Sequence, residues 1–231
     1  MVNMALHAGL GLYFMLNEVK EYIDQEDIII IIPEYSLYYR RIRYQRTLYR
    51  VLEVYPQGIK YVDTLSIPKV FFTHFVLKIQ KNIDFYLLHK KTNTLLSEYS
   101  KMGLNKYGDQ TLHLGKREKE SLRGLAISRF RYKTIPNDFI ILTEEFLEFV
   151  QNKKARVFFS FPCIAKSRYD DRIGNSVWQL LKEQKYPVLG QPGNYVFEDA
   201  LFFDTQYHLN IEGRKNRTQR LILQLSAYLQ K

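Results

Sequence analysis

Asp204 and His208 stand four residues apart in "FFDTQYHLNIEGRKNRTQRL", just ahead of the apolar-periodic stretch that ends the chain. A helix cap needs only Ser, Thr, Asn or Asp, and Asn210 already supplies one. The carboxylate and imidazole upstream therefore ask for a separate explanation. An Asp hydrogen-bonded to a His fixes the imidazole tautomer and steadies the imidazolium formed on proton transfer. The pair has the residue types of a general base and its orienting partner. A nucleophile for that base is harder to place. Cys163 follows the apolar run "FFSFP", Ser160 lies inside it, and Ser36 follows Pro33 at a strand end. A lone Cys in apolar surroundings usually packs as a small hydrophobe, and Ser36 lacks the strand–turn–helix context of a nucleophile elbow.

The elements that must position these residues follow from periodicity. Leu12, Met15, Leu16, Val19 and Ile23 recur on one helical face, predicting a helix over 12–23. The run Ile28 to Ile32 reads as a central parallel strand covered on both faces, and Pro33 ends it. Thr143 is expected to cap a helix running through Glu144, Phe146 and Val150. "ARVFFSFP" gives a second strand, and Asp170 and Asp171 open another helix around Val177 and Leu181. "YPVLG" gives a third, shorter strand, and the last helix runs from Asn210 to about Leu229. Alternating strands and helices imply an α/β fold with a parallel sheet and helices on both faces. Ligands of such sheets sit beyond the carboxyl ends of the strands, where the Asp204–His208 loop is expected to open. Residues 37–137 break the alternation and read as a mostly helical, basic, Tyr-rich insertion within a single domain spanning 1–231.

The 231 residues carry a formal net charge of +10, and 46% are apolar. That is far from the composition of disordered chains and favours acidic partners. One cysteine excludes an internal disulfide framework. No histidine pair has metal-ligand spacing with a third ligand nearby, so neither a metal nor a cofactor is expected. No run reaches the roughly 20 apolar residues of a membrane span, and no signal peptide is legible, so the chain reads as soluble. The Tyr/Arg cluster from Tyr35 to Arg50 has the side chains that hold single strands, but no nucleic-acid motif accompanies it. Its default is a basic amphipathic helix. His7, beside the Gly turn, could line a pocket but reads first as a structural histidine; His113 could reach the site from the insertion but reads first as a surface-loop residue; His74 and His89 read as helix-surface residues. Arg214, Lys215, Arg217 and Arg220 crowd the first half of the last helix against its dipole, as if to hold a carboxylate or phosphate.

Two stretches carry a family resemblance. "DTQYHLNIEGRKNRT" resembles the C-terminal block of the SGNH (GDSL-type) hydrolase superfamily, and "VNMALHAGLGLYFML" resembles its second block; together with the strand order, the likeness covers residues 1 to about 35 and 138–231. It implies a three-layer α/β/α, flavodoxin-like fold and ester hydrolysis or acyl transfer. It implies His208 as general base, Asp204 as its partner, Gly9 or Gly11 as a backbone oxyanion donor, and Asn3 lining that turn. The implied substrate is an ester such as an acylated carbohydrate, with an anionic polymer as a further partner and the bacterial cell envelope as the setting. The chain departs from the pattern in three ways. Asp204 and His208 are four apart rather than the usual three, Glu34 stands where an Asn is usual, and no Ser block precedes Asn3. The expectation is that the sequence begins downstream of its nucleophile, or else that the nucleophile has been lost. A non-catalytic relative binding a glycan or protein is the competing expectation.

Overall fold

The computed structural model describes residues 2–4, 8–39, 48, 51–52, 55–86, 103–114, 122–123, 126–131 and 133–230. In chain order the elements are α1 (Leu12–Val19), β1 (Ile28–Ile31), α2 (Tyr35–Tyr39), α3 (Ile67–Tyr86), α4 (Asn137–Asn152), β2 (Arg156–Phe159), β3 (Ile164–Ala165), α5 (Asp171–Glu183), β4 (Val196–Phe197) and α6 (Ile211–Leu229), with short 3₁₀ turns between them. The chain is thus a mixed α/β protein. Its residues divide into two compact units: Met1–Tyr22 with Arg41–Gln110, and Ile23–Arg40 with Thr111–Lys231.

The first unit is helical. Gly11 starts α1 at φ 82, a backbone angle that a residue without Cβ reaches freely. α1 buries Leu12, Phe14 and Leu16. Phe14 meets the edge of Tyr61 at 5.6 Å in a core with Leu10, Leu48, Val62 and Val70. The predicted helix over 12–23 is α1 followed by a 3₁₀ turn over Lys20–Tyr22.

The second unit holds the strands. β1 and β2 are parallel, Ile28 to Ile31 facing Arg156 to Phe159. On the other side of β2, Phe159 forms a parallel bridge with Val188. There the Phe159 N–H donates to the Pro187 carbonyl at 2.7 Å, and the Leu189 N–H to the Phe159 carbonyl at 2.8 Å. The third strand read in "YPVLG" is reduced to this bridge. β3 and β4 form a separate parallel pair. Ile28 to Ile30 are only half-buried, less covered than a central strand, because β2 is the pairing partner β1 has among the described residues. One of its faces still packs: Ile28, Ile30 and Ile32 lie against Phe158, Leu189, Leu221 and Leu225.

Thr143 does not cap a helix. α4 begins six residues earlier, at Asn137 behind Pro136, and Thr143 is a buried interior residue of the face formed by Phe139, Leu142, Phe146 and Val150. Asp170 does cap α5, its carboxylate accepting the Arg172 N–H at 3.0 Å. Asn210 caps α6 by accepting the Gly213 N–H at 3.0 Å.

Candidate functional site

The residues ahead of α6 fold back on themselves. Phe202 pairs antiparallel with Leu209, and the Phe203 N–H donates to the His208 carbonyl at 2.7 Å. Between them the chain wraps around the Thr205 hydroxyl, whose oxygen accepts the N–H groups of Tyr207 and His208 at 3.4 and 3.2 Å. Ser and Thr side chains commonly close turns in this way. Two outside donors pin the loop: the Arg123 N–H to the Asp204 carbonyl at 2.8 Å, and the Ala165 N–H to the Gln206 carbonyl at 3.1 Å. The buried Tyr207 hydroxyl lies near Glu34 and the Tyr35 backbone, immediately past the end of β1. The loop therefore sits at the carboxyl ends of β1 and β3, the side of a parallel sheet where ligands bind.

This reversal brings Asp204 and His208 together. Nδ1 of His208 lies 2.9 Å from Oδ1 of Asp204, and the two side chains are 40% and 6% exposed respectively. A carboxylate can only accept, so with Asp204 in that form Nδ1 is the donor, and the tautomer this selects carries its lone pair on Nε2. The four-residue spacing is accommodated because a tight hairpin, not a helix, connects the two.

Sequence reasoning left His113 as a surface-loop residue. It is buried at 8% exposure, with its Nε2 3.3 Å from the Leu209 carbonyl oxygen and its ring 5.3 Å from that of Phe203. Burial lowers its pKa and the Arg214 charge adds to the lowering, while the Leu209 carbonyl and Asp204 oppose it. His113 thus braces the hairpin that carries His208. No local sequence signal could have found it, because the contact spans 96 positions.

Of the cations at the start of α6, Arg214 and Lys215 line a shallow groove of about 430 Å³ with Ile211, Thr218 and Gln219. Lys215 also reaches Glu212 at 4.0 Å, and the Arg220 guanidinium lies over the Phe197 ring at 5.2 Å. The three weighed nucleophiles are enclosed. Ser160 is fully buried and its hydroxyl donates to the Leu189 carbonyl at 3.2 Å. Ser36 is buried within α2. The Cys163 thiol is pushed up to about 11 by burial, against the opposing pull of Arg217 and Arg220.

Asn3, Gly9 and Gly11 belong to the first unit. The Asn3 N–H donates to the Tyr107 carbonyl at 2.7 Å, and its amide reaches Asp109 at 3.3 Å. Gly9 lies in the 3₁₀ turn Ala8–Leu10, and the Gly11 N–H donates to the Ala8 carbonyl at 3.2 Å. Tyr35, Tyr38 and Tyr39 are core residues, Tyr38 lying 4.8 Å from Phe139, and are not available for stacking. His7, His89 and positions 40–47, 49 and 50 of the Tyr/Arg cluster lie outside the described residues. Among the described residues no cluster of His, Cys, Asp or Glu is arranged to hold a metal ion. The chain matches no family model, no curated protein and no solved structure.

Proposed function

We propose that the second unit performs acyl chemistry of the SGNH type, hydrolysing an ester or transferring its acyl group, on a flavodoxin-like three-layer scaffold. His208 is the general base and Asp204 orients it. The observation that carries this reading is the 2.9 Å Asp204–His208 bond between a buried carboxylate and an imidazole still 40% exposed. That pairing sets the tautomer so that Nε2 can accept a proton from an attacking hydroxyl. The groove bearing Arg214 and Lys215 suits an ester on an acidic carrier, such as an acylated anionic glycan of the cell envelope. Ser36, Ser160 and Cys163 are not the attacking group.

Their enclosure favours a second reading, in which the unit binds a glycan or protein without chemistry. Hydrolysis of p-nitrophenyl acetate separates the two. On the catalytic reading the protein hydrolyses it above the buffer rate, and His208→Ala with native circular dichroism returns the rate to background. Equal rates in both proteins would overturn the catalytic reading and leave the binding one.

A further inference from the structure

Among the described residues α3 packs on the first unit by one side, and the side chains on its other side are exposed. Val70 is buried in the core, and Thr73 and Leu77, three and seven residues on, are half-buried. On the opposite side Phe72, Phe75, Val76, Ile79, Ile83 and Tyr86 recur at intervals of three and four, with exposures of 70%, 62%, 42%, 44%, 45% and 69%. At 3.6 residues per turn these six fall in one continuous stripe along a helix about 30 Å long. No charged residue interrupts the stripe, and exposed Lys69 and Lys78 border it on either side. A soluble surface rarely displays so many adjacent aromatic and branched side chains without using them.

We propose that this face of α3 is a docking surface for an anionic lipid bilayer, with the helix lying in the plane of the interface. The inference is independent of the Asp204–His208 reading. Charge complementarity selects the occupant. The helix sequence carries Lys69, Lys78 and Lys81 against a single acid, Asp84, and the whole chain is +10. A second copy would set like-charged borders against each other. Anionic headgroups neutralise the lysines while the stripe enters the acyl boundary, the arrangement of in-plane amphipathic helices. The lysine stems can run along that boundary with their ammonium groups at headgroup level. A spanning mode is not required, since no described helix is long and apolar enough to cross a membrane.

The test is flotation of the full chain with vesicles of phosphatidylcholine alone and of equimolar phosphatidylcholine and phosphatidylglycerol. Binding to the mixed vesicles, weakened by salt, is expected. Lys69→Glu with Lys78→Glu lowers that binding by more than about 20-fold, since each lysine near an anionic surface contributes roughly fivefold. Phe72→Ser with Phe75→Ser and Ile79→Ser abolishes it on both lipids. These side chains are exposed, so unchanged circular dichroism is expected of both variants. Should either unfold, Phe75→Trp in a Trp178→Phe background reads the same contact as a blue shift on mixed vesicles. No flotation by the unaltered chain, equal flotation of the triple variant, or no blue shift would overturn the proposal. So would dimerisation that the triple variant removes without any lipid binding, which would assign the face to a second copy.

Discussion

Gly213 ties the last helix to the loop that carries Asp204 and His208, so replacing it by Ala tests the scaffold of the site directly. In isolation the change is favourable, because Ala exceeds Gly in a helix by about 1 kcal/mol. Here a Cβ would stand 2.5 Å from the Leu201 carbonyl oxygen and 2.8 Å from Cδ2 of Leu209. Neither neighbour can yield cheaply. The Leu201 carbonyl accepts the Asn210 N–H at 3.0 Å, and Leu209 is buried and paired with Phe202. Retreat would break the Leu201 bond, worth about 1 kcal/mol, and pull Gly213 from its Asn210 cap, worth about another. Overpacking around Leu209 adds about 1–3 kcal/mol. The net loss is about 2–4 kcal/mol, or a Tm lower by roughly 4–16 °C in a chain of this size.

Gly193 is the matched control: a Cβ there meets nothing within 4 Å. Gly193→Ala should remain within about 0.5 kcal/mol of the parent, or gain slightly through the stiffened unfolded chain. Urea unfolding followed by the emission of Trp178, the sole tryptophan, reads both variants within the second unit. A Gly213→Ala protein as stable as the parent, or a Gly193→Ala protein equally damaged, would refute the packing described at the start of α6.

Two further outcomes follow from buried ionisable groups. Burial alone would raise the Asp170 carboxyl, but the Arg131 guanidinium, bonded to it at 2.6 and 3.1 Å, with the Arg172 N–H and charge, holds its pKa below the ordinary value. A carboxylate so depressed stabilises fully above its unfolded pKa and loses that contribution as the pH falls through the folded value. Arg131→Met should therefore cost about 2 kcal/mol at neutral pH, below the full price of an orphaned buried charge because Arg172 remains. Urea midpoints of parent and variant should begin to draw together only as the pH falls below the ordinary carboxylate value of about 4 and meet once it has passed the depressed folded value of Asp170, and a difference that stays constant down to the most acidic pH at which both proteins fold would count against the pair. The Cys163 thiol, pushed up to about 11 by burial, should resist iodoacetamide at pH 8 in the native protein and react once unfolded. Rapid native alkylation would reopen it as a nucleophile.

What could be read from the sequence was mostly local. The isoleucine run placed β1, and Asp170 and Asn210 marked the starts of α5 and α6 because an N-cap works within three residues. The Asp204–His208 pair was legible for the same reason. Thr143 misled because it satisfies the cap rule, while the apolar stripe continues upstream through Phe139 and Leu142 and outweighs it. Pro136 was the better signal. The third strand was over-read in "YPVLG": only Val188 bridges to Phe159, and Pro187 has no N–H to extend a ladder. His113 and the Arg131–Asp170 pair were invisible, since their partners lie 96 and 39 positions away. The grouping of 41–110 with the N-terminal helix instead of with the strands likewise rests on tertiary contacts that no periodicity encodes.

An Asp–His pair can also serve as a structural staple, and the surroundings of this one bear on that alternative. The hairpin is already held by the Phe203–His208, Asn210–Leu201, Arg123–Asp204 and Ala165–Gln206 backbone bonds and by the Thr205 hydroxyl. A staple would add little where the chain is so constrained. The carboxylate is enclosed while the imidazole keeps two-fifths of its surface in contact with solvent. On the catalytic reading, the Asp204 bond fixes which nitrogen of His208 takes the next proton.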